Sequence, residues 1–244
     1  MFAGQMILEN GGETYRVEET IWRICKIYGA DEAESFATPT GIMASICHQG
    51  KNYSLTRRVS NRTVNLDKID KVNDLSRSIQ SKKLSVSDFK RELDKINNLN
   101  TYSFLIVILF SGLAAGSFSI LFGGNFKDAF SAFLIGLIIK GLSLKWSDVG
   151  INTFFINSIC GGITALLAII FFKLGISSQI NQTIIGSIML LVPGLAITNA
   201  IRDTMSGDLL SGIIRASEAF LVAISIAVGT GAVLSFWISN LGGV

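Results

Sequence analysis

The sequence predicts an α-helical integral membrane protein: about five transmembrane helices preceded by a small cytoplasmic α+β domain. Three observations predict it. The mean hydropathy is +0.50. Only 16% of the 244 residues are charged, against roughly 25% in a soluble globular domain. The charge is also uneven, since 15 of the 21 Lys and Arg and 13 of the 18 Asp and Glu fall within residues 1–100. Two solvents follow, water for 1–100 and lipid for most of 101–244.

Within 1–100, residues 13–28 carry Val17, Ile21, Ile24, Cys25 and Tyr28 at helical spacing, and Gly29 ends the stripe. Asn10-Gly11-Gly12 ahead of it reads as a flexible lead-in. Phe36-Ala37 predicts a short strand closed by Thr38-Pro39-Thr40-Gly41. Ile42, Ala44 and Ile46 then alternate with Met43, Ser45 and Cys47, and Tyr53–Thr56 alternates again after the turn 49–52, which predicts a hairpin. Two helices follow. One carries Leu66, Ile69, Val72, Leu75 and Ile79 behind the cap Asn65; the other carries Val86, Phe89, Leu93 and Ile96 behind Ser85.

Several classes are excluded. His48 is the only histidine, and Cys25, Cys47 and Cys160 are far apart, so neither a metal site, a cofactor site nor a disulfide framework is expected. A net charge of +3, spread along the chain, gives no basic patch for nucleic acid. No basic region followed by an apolar run opens the chain, so no signal peptide is expected.

A bilayer core takes ~20 apolar residues in a helix. Five segments qualify, approximately 102–122, 128–145, 149–172, 180–201 and 212–239. Small residues recur four apart at Gly112/Gly116, Gly161/Ala165 and Ala227/Gly231, which predicts helices packed backbone to backbone. With residues 1–100 in the cytoplasm, Arg91, Lys95, Lys140, Lys145, Arg202 and Arg215 lie on the inner side and only Lys127 and Lys173 lie outside. That is the favoured sense, and five spans then place Gly242-Gly243-Val244 outside.

The most informative stretch is PGLAITNAIRDTMSGDLLSGIIRASE, Pro193 to Glu218. A proline inside a span removes a backbone donor and frees a carbonyl that lipid cannot satisfy. Pro193-Gly194 is followed by Thr198, Asn199, Arg202 and Asp203, then Asp208, Arg215 and Glu218. One reading is a polar vestibule in which Arg202 or Arg215 holds a carboxylate and Asp203, Asp208 or Glu218 carries a proton. The other is an interfacial salt-bridge cluster that fixes a helix hairpin. Glu218 is expected to lie deepest. Asn157 is a further polar candidate within the third span.

Three segments together carry a family resemblance: ENGGETYRVEETI at 9–21, TPTGI at 38–42, and PGLAITNAIRDTMSGDLLSGIIRASEA at 193–219. In order and spacing the chain resembles the threonine/serine exporter family over nearly its whole length. The resemblance implies a cytoplasmic-membrane (inner-membrane) exporter of small molecules, threonine and serine, driven by the proton gradient. It adds weight to Glu9, Asn10, Gly11, Glu13, Arg16 and Glu18, to Thr38, Pro39, Thr40 and Gly41, and to Asn199, Arg202, Asp203, Gly207, Asp208, Arg215 and Glu218. Single-chain members resemble this protein followed by a second membrane half. The chain therefore looks like the larger component of a two-chain form, with a small membrane protein as partner in a homo- or hetero-oligomer. Two-chain relatives are associated with dicarboxylate export, which leaves a succinate-like substrate as the alternative. A membrane-anchored ligand sensor and a membrane enzyme are the competing classes; no nucleophile triad, metal cluster or phosphate-binding glycine loop supports an enzyme.

Overall fold

The computed structural model describes residues 1–99 and 102–241; the external placement expected for Gly242-Gly243-Val244 concerns residues outside these. The order of elements is α1 (Phe2–Glu9), α2 (Thr14–Ile27), β1 (Glu32–Thr38), β2 (Gly41–His48), β3 (Lys51–Arg58), α3 (Leu66–Lys82), α4 (Val86–Asn97), α5 (Phe104–Leu121), α6 (Phe126–Asp148), α7 (Thr153–Lys173), α8 (Ile180–Ile188), α9 (Gly194–Met205) and α10 (Leu209–Leu241). They form two compact units, Met1–Asn100 with Gly194–Glu218, and Thr101–Pro193 with Ala219–Val244. The division does not follow the chain at residue 100: α9 and the start of α10 pack with the N-terminal elements.

In the first unit, β1, β2 and β3 form an antiparallel sheet in that order, with Ala37 opposite Ile42 and Ala44 opposite Leu55. A period of two sends Ala37 and Ile42 inward, where both are fully buried. They join Val17 and Ile21 of α2, Val72 and Ile79 of α3, and Phe89 and Leu93 of α4 in one core. The Asn65 and Ser85 side chains cap α3 and α4 by accepting from Lys68 N and Asp88 N. Helix α1 has no counterpart in the sequence reading, because eight residues show too little periodicity. It nevertheless supplies Met6, Ile7 and Leu8 to the same core.

The lead-in between α1 and α2 is not flexible. Gly11 N donates to Leu8 O and Gly12 N to Ile7 O at 2.9 Å, and Asn10 Nδ2 donates to Met6 O at 2.7 Å. Gly11 takes φ +93°, and a Cβ on Gly12 would lie 2.9 Å from the Ile7 carbonyl oxygen. The turn therefore needs both glycines.

Four helices among the described residues are long and apolar enough to cross a membrane: Phe104–Leu121, Phe126–Asp148, Thr153–Lys173 and Leu209–Asn240. The expected fifth span, 180–201, is not one helix. It breaks between α8 and α9 at residues 189–193. Pro193 lacks an N–H and disfavours helical backbone at Val192, so the apolar run is divided into pieces of 9 and 12 residues.

Glycine decides the packing of the second unit. A Cβ on Gly116 would lie 2.9 Å from Ala129 O, and one on Gly136 would lie 2.9 Å from the Ala115 side chain, so α5 and α6 approach at backbone distance. Gly186 of α8 lies against Ser119 N and Ala115 O of α5 in the same way, and Gly161 of α7 against Ile226 O of α10. The expected pair Ala227/Gly231 does not serve: a Cβ on Gly231 would meet nothing within 4 Å. Gly229 takes that role, with Ser158 O only 1.8 Å from the position its Cβ would occupy.

Candidate functional site

The first motif segment and the third, from Gly194 onward, meet in the first unit. The α1–α2 turn presents two carbonyls. Gly11 O accepts from Asn199 Nδ2 at 2.8 Å, and Gly12 O accepts from an Arg215 guanidinium nitrogen at 2.7 Å. Thr14 opens α2, and its N–H has no carbonyl partner within the helix. It donates instead to Asp203 Oδ1 at 3.1 Å, while Thr14 Oγ1 donates to Asp208 Oδ2 at 3.1 Å. Two carboxylates, Asp203 of α9 and Asp208 of the α9–α10 connection, thus sit at the positive end of α2, where the helix dipole favours them.

At the bottom of this layer Arg215 Nε lies 2.9 Å from Asp203 Oδ2, with side-chain exposures of 5% and 0%. The two atoms are close but not aligned as a hydrogen bond, so the pair is held by charge and by the outer contacts to Gly12 and Thr14. Nearer the surface, Glu13 bridges two guanidinium groups: it accepts from Arg16 Nε at 2.9 Å and from Arg202 at 2.7 Å. Burial alone would raise the Glu13 carboxyl. Hydrogen bonds from Arg16, its own backbone and Arg202 outweigh it and hold Glu13 below its ordinary value of 4.5. The same bond to Glu13 raises Arg16.

Glu18, one turn further along α2, behaves oppositely. It accepts from Ala37 N at 2.7 Å, and among the described residues no cation pairs with it. Burial pushes its carboxyl above 4.5, the Ala37 N–H offsets part of this, and Asp208 and Asp203 add to the rise.

A cleft of about 440 Å³ opens beside the bridge, with Glu13, Arg16, Asn199 and Arg202 on one side and Asp70 and Asn73 of α3 on the other.

Other predicted residues fall elsewhere. Glu218 is not the deepest acid; its side chain is 37% exposed and pairs with Arg62, not with Arg215. The reason is the angular offset of i and i+3 on α10, which sends Arg215 to Asp203 and Glu218 to the 59–65 segment. Thr198 is exposed and bonds back to Gly194 O and Leu195 O within α9. Glu9 accepts from Gln5 Nε2 and through its carbonyl from Thr63 N. Thr38, Pro39, Thr40 and Gly41 form the β1–β2 turn, with Thr40 O accepting from Val59 N. Gly207, with φ +94°, turns the chain between α9 and α10. Asn157 is buried on α7 and Pro193 precedes α9; both belong to the second unit and not to the cluster.

Thr14, Arg62 and Asp128 were missed. Thr14 opens α2 only because the helix begins one residue later than the 13–28 stripe predicts. Nothing near Arg62 singles it out. Asp128 carried a signal: Asn125-x-x-Asp128 ahead of an apolar run is a capping box, and both of its bonds form. The fully buried Asp128 carboxylate also accepts from Ser177 Oγ, Ser178 N and Gln179 N at 2.7–2.9 Å. It ties the start of α6 to the turn before α8. Among the described residues no group of three His, Cys, Asp or Glu could hold a metal ion.

A family model described as "Putative threonine/serine exporter" matches residues 1–237. Two curated relatives bear the name "Probable succinate transporter subunit YjjP". The one from Klebsiella aerogenes is 25% identical over 95% of this chain and 90% of its own length. The one from Escherichia coli is 25% identical over 96% and 91%. A "Threonine/serine exporter" from Corynebacterium glutamicum is 27% identical over 68% of this chain and 35% of its own length. No solved structure matches.

Proposed function

The chain belongs to the threonine/serine exporter family, and from that premise we propose that it is the larger subunit of a proton-coupled secondary exporter of small carboxylate-bearing metabolites, threonine/serine-type amino acids first. The observation that carries this reading is the buried Asp203–Arg215 pair, at the point where the last apolar helix begins. Burying two charges costs several kcal/mol per ion before their attraction is counted. A helix that only anchors a soluble domain has no use for such a pair, whereas ionisable groups at a membrane boundary commonly belong to a solute or proton route.

The interrupted element α8–α9 fits the same reading, since broken helices at membrane depth line cavities in transporters. With the first unit, α9 included, in the cytoplasm, α5, α6, α7, the stretch from α8 to Pro193 and α10 make five crossings, and the C-terminus lies outside. The relatives named as transporter subunits support a second, small membrane protein as partner. They also favour succinate as the second candidate substrate, because they match over nearly the whole chain. For the proton, Glu18 is the better carrier than Glu218: its carboxyl is raised by burial, whereas Glu218 is exposed and bound to Arg62.

The test is flux in proteoliposomes, with and without the partner, using threonine, serine and succinate under an imposed pH gradient. Gradient-dependent efflux of one of them is the expected result. Binding without flux under every condition would replace the exporter by a ligand sensor.

A further inference from the structure

We propose that the cleft beside the Glu13 bridge is a binding site for a small zwitterion, taking its carboxylate on Arg202 and its ammonium group on Asp70. The inference deepens the exporter reading by naming where in the chain a solute is first held and what charge pattern it must carry. Its volume of about 440 Å³ lies within the roughly 300–1,000 Å³ of small-ligand pockets.

The lining charges decide the ligand class. Arg16 and Arg202 supply two positive charges, Glu13 and Asp70 two negative, so the lining is neutral as a whole. It is not neutral locally. Glu13 is committed to both guanidinium groups and leaves one positive charge in excess on that wall. Arg202 is 61% exposed and, among the described residues, donates only through one terminal nitrogen to Glu13. The rest of its planar fork faces open space and suits a carboxylate. Across the cleft Asp70 is exposed and makes no ion pair among the described residues, and Asn73 beside it offers an amide.

One spare cation and one spare anion in one lining fit a molecule that carries both a carboxylate and an ammonium, as an α-amino acid does on one carbon. A dicarboxylate would satisfy Arg202 and then bring its second charge to Asp70. Like charges in one site cost affinity, so the same lining that accepts the zwitterion rejects the dianion. The cleft walls come from α2, α3 and α9.

The experiment is equilibrium binding of radiolabelled L-threonine and of succinate to the purified full-length chain in detergent, for the native protein, Asp70→Asn and Arg202→Gln. Asp70 contributes to no core contact, so its variant folds. L-threonine binding should weaken about tenfold in Asp70→Asn, the loss of one charge-assisted contact, and by at least as much in Arg202→Gln. Succinate should bind the native chain more weakly than L-threonine and gain in Asp70→Asn. L-threonine affinity unchanged in both variants would overturn the proposal, as would succinate binding that is tighter than L-threonine and indifferent to Asp70. Binding that follows this pattern without flux in liposomes would leave the site standing and sink the exporter reading; flux whose KM ignores both variants would do the reverse.

Discussion

Replacing Asp203 by Asn isolates the energetics of the motif cluster. The Asn side chain can still accept from Thr14 N, which lies 3.1 Å from Asp203 Oδ1. What disappears is the negative charge 2.9 Å from Arg215 Nε. Arg215 is 5% exposed, so water cannot replace the lost partner, and a buried charge is left uncompensated. Such losses run to about 3–5 kcal/mol. The imperfect alignment of Nε and Oδ2 puts the expectation near the lower end, at ~3 kcal/mol. Arg215→Met should cost a similar amount, because it strands both Asp203 and Gly12 O, which now accepts from Arg215 at 2.7 Å. The double variant Asp203→Asn/Arg215→Met removes both charges together, keeps an acceptor for Thr14 N and should recover part of the loss, since neither buried charge is then left unpaired. The assay is reversible urea unfolding in mixed micelles, arranged as a double-mutant cycle. A single substitution costing below ~1 kcal/mol, or a cycle additive to within ~0.5 kcal/mol, would refute the view that this pair is buried and coupled.

Three further outcomes are expected. Gly229→Ala should disrupt the α7–α10 contact, because its Cβ would overlap Ser158 O at 1.8 Å; a loss of several kcal/mol of detergent stability checks it, and an unchanged melt contradicts the packing. Glu13 is held below 4.5 in the folded chain, so its contribution is complete above pH 4.5 and is lost as pH falls below that value toward the lowered one; unfolding measured from pH 7 to pH 3 should fall more steeply for the native protein than for Glu13→Gln. Glu18 is raised above 4.5, so its ionisation costs stability that sets in as pH rises through 4.5 toward the raised value. Glu18→Gln keeps an acceptor for Ala37 N and removes the cost of the buried charge, so it should be more stable than the native chain at pH 7, while its flux loses the pH dependence; coupling intact in Glu18→Gln would remove Glu18 as proton carrier.

The sequence by itself determined what depends on local pattern. Charge sorting and apolar runs of about 20 residues marked the division between water and lipid. The caps Asn65 and Ser85 and the alternation from Ile42 to Thr56 were readable because each is an interaction between near neighbours. The three motif segments stood out as polar groups in places where lipid or a plain helix face would not need them. Tertiary structure decided what those groups touch. Thr14 and Asp203 are 189 residues apart, and no periodicity connects them. Which acid is deepest depended on the angular positions of Arg215 and Glu218 about α10, set by packing and not by their distance along the chain. The break at Pro193 was foreshadowed, but that α9 packs with the first hundred residues was not, since its apolar face would serve equally well against lipid. The same holds for Gly229 over Gly231: both suit a close helix contact, and only the rotation of α10 against α7 selects between them.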